Sequence, residues 1–258
     1  MEVNLSSGVR ETLGSLKRVS ELQDRTSERL SKGKKVNSYK DDAISFAIAQ
    51  SLTSRASDYN AVKDNIGQAV SKVDTTVAGL DSISSLLDQA KALSLQRQST
   101  SDATEQAALD AQFTEVAQQI TNISRDANYG GTSLISATPD TVNVNVNPEG
   151  TSQVTLTGSA SDATTLAIDI TDPATIDAAQ ATIRSTAQTI GSQAAVLDIR
   201  ENFTKELTNN LEAGAAKLVN ADLNEEAANT LSLQTRGALA AEALNIAAKS
   251  ERAILQLF

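Results

Sequence analysis

The chain contains no histidine, no cysteine and no tryptophan, and aromatic residues make up only 3% of its 258 residues. Without histidine, the Ser-His-Asp and Cys-His constellations and most transition-metal sites are excluded. Without cysteine, no disulfide can staple the fold. Stability outside a cell would then need another source, and self-association is one. Proline is nearly as scarce. Pro139, Pro148 and Pro173 are the whole set, so residues 1–138 and 174–258 are free to form long helices. No apolar run approaches a membrane span. The start, Met1-Glu2-Val3-Asn4, lacks the basic opening and apolar stretch of a cleaved secretory signal. The expectation is a protein that stays in the cytoplasm or leaves the cell without such a signal.

The net charge of −10 argues against general nucleic-acid binding, which needs a basic footprint. The charge is unevenly placed. Residues 1–40 carry nine Lys or Arg against five acidic residues, so a basic arm precedes a strongly acidic body. Such an arm suits a membrane or nucleic-acid tail, or half of a complementary pair within one assembly.

What is abundant is periodicity. Ile66, Val73, Leu80 and Leu87 recur every seven residues, with Val70 and Val77 between them. Leu109, Phe113, Val116, Ile120, Ile123 and Ala127 alternate steps of four and three. Ile176, Ile183, Ile190 and Leu197 repeat by seven, pass through Thr204 and resume at Leu211 and Leu218. Leu239, Ala243, Ile246, Ser250, Ala253 and Leu257 continue the pattern. This spacing predicts a coiled coil or a helical bundle. Between the proline-free flanks, TVNVNVN (141–147), SQVTLT (152–157) and TLAIDI (165–170) alternate with a period of two and read as short strands. The fold class is therefore mainly α: a long coiled-coil helical rod with a small β-hairpin region. The N-terminal stretch (Leu5, Val9, Leu13, Leu16, Val19) and the Ala-rich C-terminal stretch are each weak helices that need burial. Two marginal amphipathic ends suggest segments that fold together or only on neighbours.

Candidate chemistry is thin. Asp41-Asp42 is one of two paired carboxylates, with Glu225-Glu226. Adjacent helical side chains point about 100° apart and cannot address one substrate together. Ser38-x-x-Asp41 instead has the spacing of a loose capping box. Lys32, Lys34 and Lys35 around Gly33 lack the glycine spacing of a phosphate loop. No catalytic, cofactor-binding or metal-binding residue is expected.

Three stretches, in order, carry a resemblance. TSERLSKGKKVNSYKDDAISFAIAQSL (26–52), ANYGGTSLI (127–135) and VNADLNEEAANTLSLQTRGALAAEALNIAAKSERAILQLF (219–258) are similar to the N-terminal, mid-chain and C-terminal signatures of bacterial flagellin. The resemblance covers almost the whole chain except about 139–172. It departs at the end, where the family often has one residue beyond the position of Phe258.

The resemblance implies a structural subunit of the extracellular flagellar filament, not an enzyme, with a short chain of the D0–D1 type. D0 would comprise 1–36 plus 222–258, a terminal coiled coil lining the inner tube. D1 would comprise 37–221. The polymer interface would include Leu5, Val9, Leu13, Leu16, Val19, Leu239, Ile246, Ile254, Leu255, Leu257 and Phe258. Gly33, Lys34, Asn37, Asp41 and Asp42 would form the joint between the two parts. Implied partners are other copies of the chain, the flagellar type III export apparatus, a chaperone at the C-terminal helix, and hook-associated and cap proteins, with no nucleic acid and no membrane insertion. An innate immune receptor region would fall at Gln89, Leu93 and Gln96. Gln89 stands where strongly recognised flagellins carry Arg, so weak recognition is expected. A hook–filament junction protein and a soluble coiled-coil adaptor are the competing readings.

Overall fold

The computed structural model describes residues 7–255, with side chains described through Ser250. Five helices and one hairpin follow in the order α1 (Ser7–Lys32), α2 (Ala43–Ser99), α3 (Ala103–Asp126), β1 (Thr141–Asn145), β2 (Gln153–Thr157), α4 (Pro173–Val219) and α5 (Leu223–Leu255). Two compact units result. One comprises Met1–Ser54 and Leu211–Phe258, and the other Arg55–Asn210.

In the second unit, the seven-residue repeats are the core. Ile66, Val73, Leu80 and Leu87 of α2 and Ile176, Ile183, Ile190 and Leu197 of α4 are all buried. Leu109, Phe113 and Ile120 bring α3 onto the same packing. Each fully buried Leu or Ile contributes about 1.5–3 kcal/mol, and the heptad spacing places them along one seam. Asp102 caps α3 by accepting from the Thr104 and Glu105 amides at 2.7 and 3.3 Å. These amides, Thr104 first, hold its carboxyl below the usual aspartate value. Gly79 permits a close approach. A Cβ there would lie 2.6 Å from Ala127 Cβ and 2.9 Å from Ile135 Cδ1.

β1 and β2 pair antiparallel, with Val142 opposite Leu156 and Val144 opposite Val154. Val144, Val146 and Leu156 are buried with Val62, Ile66 and Leu134. The outer face presents Asn143 and Thr155, whose side chains bond each other at 2.9 Å. The hairpin turn is closed by Val146 N–H donating to Ser152 O at 3.0 Å, with Gly150 at positive φ.

Residues 165–170 do not form the expected third strand. The Asp162 carboxylate accepts from the Thr164 and Thr165 amides, and Leu166 N–H donates to Asp162 O at 2.9 Å. This closes a turn that leads to Ala167 at φ +49°. Leu166 is buried in the core, and Ser94 Oγ of α2 donates to Ile170 O at 2.7 Å. The alternation of apolar residues is real, but a side-chain-capped turn satisfies the backbone instead of a partner strand.

In the first unit, the terminal helices α1 and α5 pack on each other. On α1 the less exposed positions are Val9, Thr12, Leu16, Val19, Gln23 and Thr26, stepping by three and four. On α5 they are Leu233, Gly237, Ala240, Leu244 and Ala247. A Cβ on Gly237 would sit 3.6 Å from Val19 Cγ1, an ordinary contact. The α5 seam toward α1 thus differs from the one read in the sequence. Leu239, Ala243, Ile246 and Ser250 are exposed. Two heptad frames coexist on this Ala-rich helix, and small residues let α1 take the less conspicuous one.

Candidate functional site: the α1–α5 pair and its joint

Two chain crossings lie side by side in the first unit: α1 to α2, and α4 to α5. Gly33, at φ +68°, ends α1 by donating its N–H to Arg29 O at 2.8 Å. A left-handed residue just past a helix end is the usual place for glycine. Gly33 O then accepts from Ala221 N–H at 3.0 Å, while Val219 O accepts from the Lys35 and Val36 amides at 2.8 and 3.2 Å. Lys34 and Asn220 form an antiparallel bridge. The two crossings are therefore laced together through their backbones, with Val36 buried beneath them.

The Asp41-Asp42 pair divides into two tasks. Asp41 Oδ2 accepts from the Asn37 amide at 2.9 Å, the Ser38 amide at 3.0 Å and Ser38 Oγ at 3.2 Å. Asp42 caps α2. Its Oδ1 accepts from the Ile44 and Ser45 amides, each at 3.0 Å, and Ser45 Oγ donates to its Oδ2 at 2.7 Å. The Asn37 amide is the main cause of a lowered Asp41 pKa, and the Ser45 hydroxyl of a lowered Asp42 pKa. Both groups are held as charged acceptors, the opposite of a carboxyl poised to give up a proton near neutrality. Tyr39 and Phe46 stack edge to face across this turn with centroids 4.6 Å apart.

Asp222 repeats the arrangement at α5, accepting from the Asn224 and Glu225 amides at 2.9 and 3.3 Å. One turn on, Glu226 is 6% exposed, and its Oε1 accepts from Arg29 Nη1 at 3.1 Å. Its Oε2 has no hydrogen-bond partner. The complementary pairing that the basic N-terminal arm suggested takes this form between α1 and α5, although the sequence did not single out Arg29. Its signal was an acid in the first turn of a helix whose next turns are apolar, together with an unpaired Arg in the opposing one. Arg25, Arg29, Lys35 and Lys40 surround a small pocket of about 130 Å³ shared with Glu28 and Asp41.

Of the residues expected at a polymer interface, Val9 is buried and Leu16 and Val19 are half-buried, all on the seam toward α5. Leu13, Leu239 and Ile246 face outward, 48, 66 and 61% exposed. Leu5, Leu257 and Phe258 lie outside the described residues, as do the side chains of Ile254 and Leu255. Gln89 and Gln96 are exposed and Leu93 half-buried, on the wall of an open groove between α2 and α3 in the second unit. Among the described residues, no cluster could hold a metal ion, and no helix is long and apolar enough to cross a membrane.

Comparison with known proteins places this arrangement. The family described as "Bacterial flagellin N-terminal helical region" matches residues 5–140. Flagellin FljO of Caulobacter vibrioides is 33% identical over 99% of this chain and 98% of its own. A flagellin of Brucella melitensis biotype 1 is 28% identical over 90% of each chain. A crystal structure of Bacillus cereus flagellin aligns with 57% of this chain and 88% of its own at 22% identity and a TM-score of 0.43. The fold is mainly helical, with helices α1 and α5 packed on each other. The chain belongs to the bacterial flagellin family, and it is a self-polymerising structural subunit of the extracellular flagellar filament, not an enzyme. The relatives are flagellins along nearly their full length, which leaves the junction-protein and adaptor readings without support.

Proposed function

We propose that filament assembly runs through the terminal helices. The observation that carries this reading is the second apolar frame on α5: Leu239, Ala243 and Ile246 repeat along one exposed face while α1 occupies another. An exposed heptad seam on a soluble subunit is a seam awaiting another helix. Leu13 on α1 is also exposed and, with Gly14 and Leu16, lines an open surface of its own on that helix. Residues 1–36 with 222–258 would make D0 and line the inner tube, and 37–221 would make D1. Gly33, Lys34, Asn37, Asp41 and Asp42 would transmit the position of one part to the other, since their hydrogen bonds fix both chain crossings at once.

The chain would leave the cell through the flagellar type III apparatus. A chaperone on the exposed face of α5 would keep that seam from pairing early, and hook-associated and cap proteins would meet the same arms at the filament ends. The Gln89–Leu93–Gln96 region would bind an innate immune receptor weakly, because an amide replaces a guanidinium that could bond bidentately.

Polymerisation tests the central part. The full chain and a chain lacking 1–36 and 222–258 would each be given filament seeds and viewed by electron microscopy. Tubular filaments from the full chain alone support assembly through the termini. Equal growth by the shortened chain would overturn it.

A further inference from the structure

The joint carries a cluster of charges that filament assembly does not use. The pocket of about 130 Å³ beside it is lined by Arg25, Glu28 and Arg29 of α1 and by Lys35, Asn37, Lys40 and Asp41 of the connecting segment. Arg25, Glu28 and Arg29 step by three and four, so they share one flank of α1. Four cations meet two carboxylates there, an excess of two positive charges.

Both carboxylates are already engaged. Glu28 pairs with Lys32 at 2.7 Å, and Asp41 Oδ2 accepts from the Asn37 and Ser38 amides and from Ser38 Oγ. Arg29 gives one nitrogen to Glu226 and keeps its other N–H groups for a second acceptor. Arg25, Lys35 and Lys40 have no salt-bridge partner among the described residues. Charges just outside the lining leave the balance unchanged. Lys32 and Glu226 offset each other, as do Lys34 and Asp42, whose carboxylate caps α2. Glu21 is paired with Lys17, and Asp222 caps α5. Asp24 and Glu225 are sequence neighbours of Arg25 and Glu226 and sit about 100° around their helices.

The dipole at the end of α1 opposes an anion. The pocket, however, lies on the flank of α1, and the Arg29 and Gly33 carbonyls are taken by the Gly33 and Ala221 amides. A cavity of roughly 150 Å³ takes up benzene, so this one has room for a tetrahedral oxyanion. It has no room for the nucleoside of a larger phosphate ester. Guanidinium groups match paired oxygens of such an ion, and the lysines act as point charges.

We infer that this pocket binds a free tetrahedral dianion of the phosphate or sulfate class, held by Arg25, Arg29, Lys35 and Lys40. The bound ion ties α1 to the segment that leads into α2. Through Arg29 it also adjoins the link to Glu226 on α5. Because the site exists only in the folded chain, occupancy stabilises the first unit.

The test uses the full chain as a monomer, labelled with nitrogen-15 and titrated with sodium phosphate at constant ionic strength. The amide signals of Lys35, Asn37 and Lys40 should shift and saturate with phosphate and with sulfate, and should not do so with chloride. Lys35→Gln combined with Lys40→Gln, and Arg25→Gln separately, should each weaken binding about tenfold with helix content unchanged, as loss of charge-assisted hydrogen bonds does. Lys63→Gln removes one positive charge from α2 in the second unit and should alter the affinity by less than about twofold. Adenosine monophosphate should bind no more tightly than phosphate itself.

Shifts that fail to saturate, that chloride reproduces, or that persist in both pocket variants would overturn the site. Equal weakening by Lys63→Gln would do so as well, since it would mark diffuse attraction to net charge. Tighter binding of adenosine monophosphate would overturn the assignment to a free ion. Only the monomer is measured, so none of these outcomes bears on assembly through the terminal helices.

Discussion

Two glycines on one helix should respond to the same substitution with opposite signs. Gly67 and Gly79 both lie inside α2. A Cβ on Gly67 meets nothing within 4 Å, so Gly67→Ala acts only through backbone entropy. That should stabilise by about 0.8–1 kcal/mol. Gly79→Ala gains the same term but places its methyl 2.6 Å from Ala127 Cβ and 2.9 Å from Ile135 Cδ1. Carbon atoms prefer roughly 3.5–4.0 Å. The isoleucine end can rotate, but Ala127 sits at the end of α3 and can only move with its backbone. Overpacking of this kind costs about 1–3 kcal/mol, which leaves Gly79→Ala net destabilising by about 1 kcal/mol. For a chain of this size the melting temperature should rise about 2–4 °C for Gly67→Ala and fall by a similar amount for Gly79→Ala. The assay is thermal unfolding of the monomeric full chain, followed by circular dichroism. A Gly79→Ala variant stabilised as much as Gly67→Ala would refute the claim that α2 approaches Ala127 through a missing side chain.

Further outcomes follow from the first unit. Arg29→Ala strands the buried Glu226 carboxylate and should loosen the α1–α5 pair by about 2 kcal/mol, whereas Glu226→Gln should cost under about 1 kcal/mol; amide exchange along α5 would rank the two, and the reverse order would contradict the burial argument. Asp41 and Asp42 have pKa values lowered by their folded partners. Their contribution is thus present above the unfolded aspartate value of about 3.9 and is lost as pH falls through the lower folded value. Asp42→Asn should lower the melting temperature at pH 7, with the gap to the unaltered chain shrinking as pH falls through the lowered folded value, and a gap that did not change with pH would contradict the assignment. Gln89→Arg should raise the response of a flagellin-sensing immune receptor about tenfold, and a cell reporter giving equal potency for both chains would discard the explanation for weak recognition.

Much of the architecture is written in the sequence because burial enforces periodicity. Ile66, Val73, Leu80 and Leu87 repeat by seven and all become core. TVNVNVN and SQVTLT alternate and pair in a hairpin. Where the sequence misled, two solutions shared one pattern. TLAIDI alternates like a strand, yet Asp162 offers its backbone a turn and Leu166 still reaches the core. On α5, alanine is frequent enough to support two seams, and each carries large apolar residues, Leu233 and Leu244 toward α1 and Leu239 and Ile246 on the open face. The end of α1 and the start of α2 were legible in GKKVNSYKDD, because glycine and aspartate there serve recognisable terminal roles. Its lacing to Asn220 and Ala221, and the Arg29–Glu226 link, depend on segments nearly 200 residues apart that no local pattern connects.

The most direct test of assembly through an open seam is the critical concentration of a chain carrying Leu239→Gln and Ile246→Gln. Both side chains are exposed in the subunit, so helix content and melting temperature should be unchanged. Losing two apolar side chains from the assembled seam, at about 1.5 kcal/mol or more each, should raise the critical concentration at least tenfold. Filaments growing from this variant at the concentration that suffices for the unaltered chain would contradict the account.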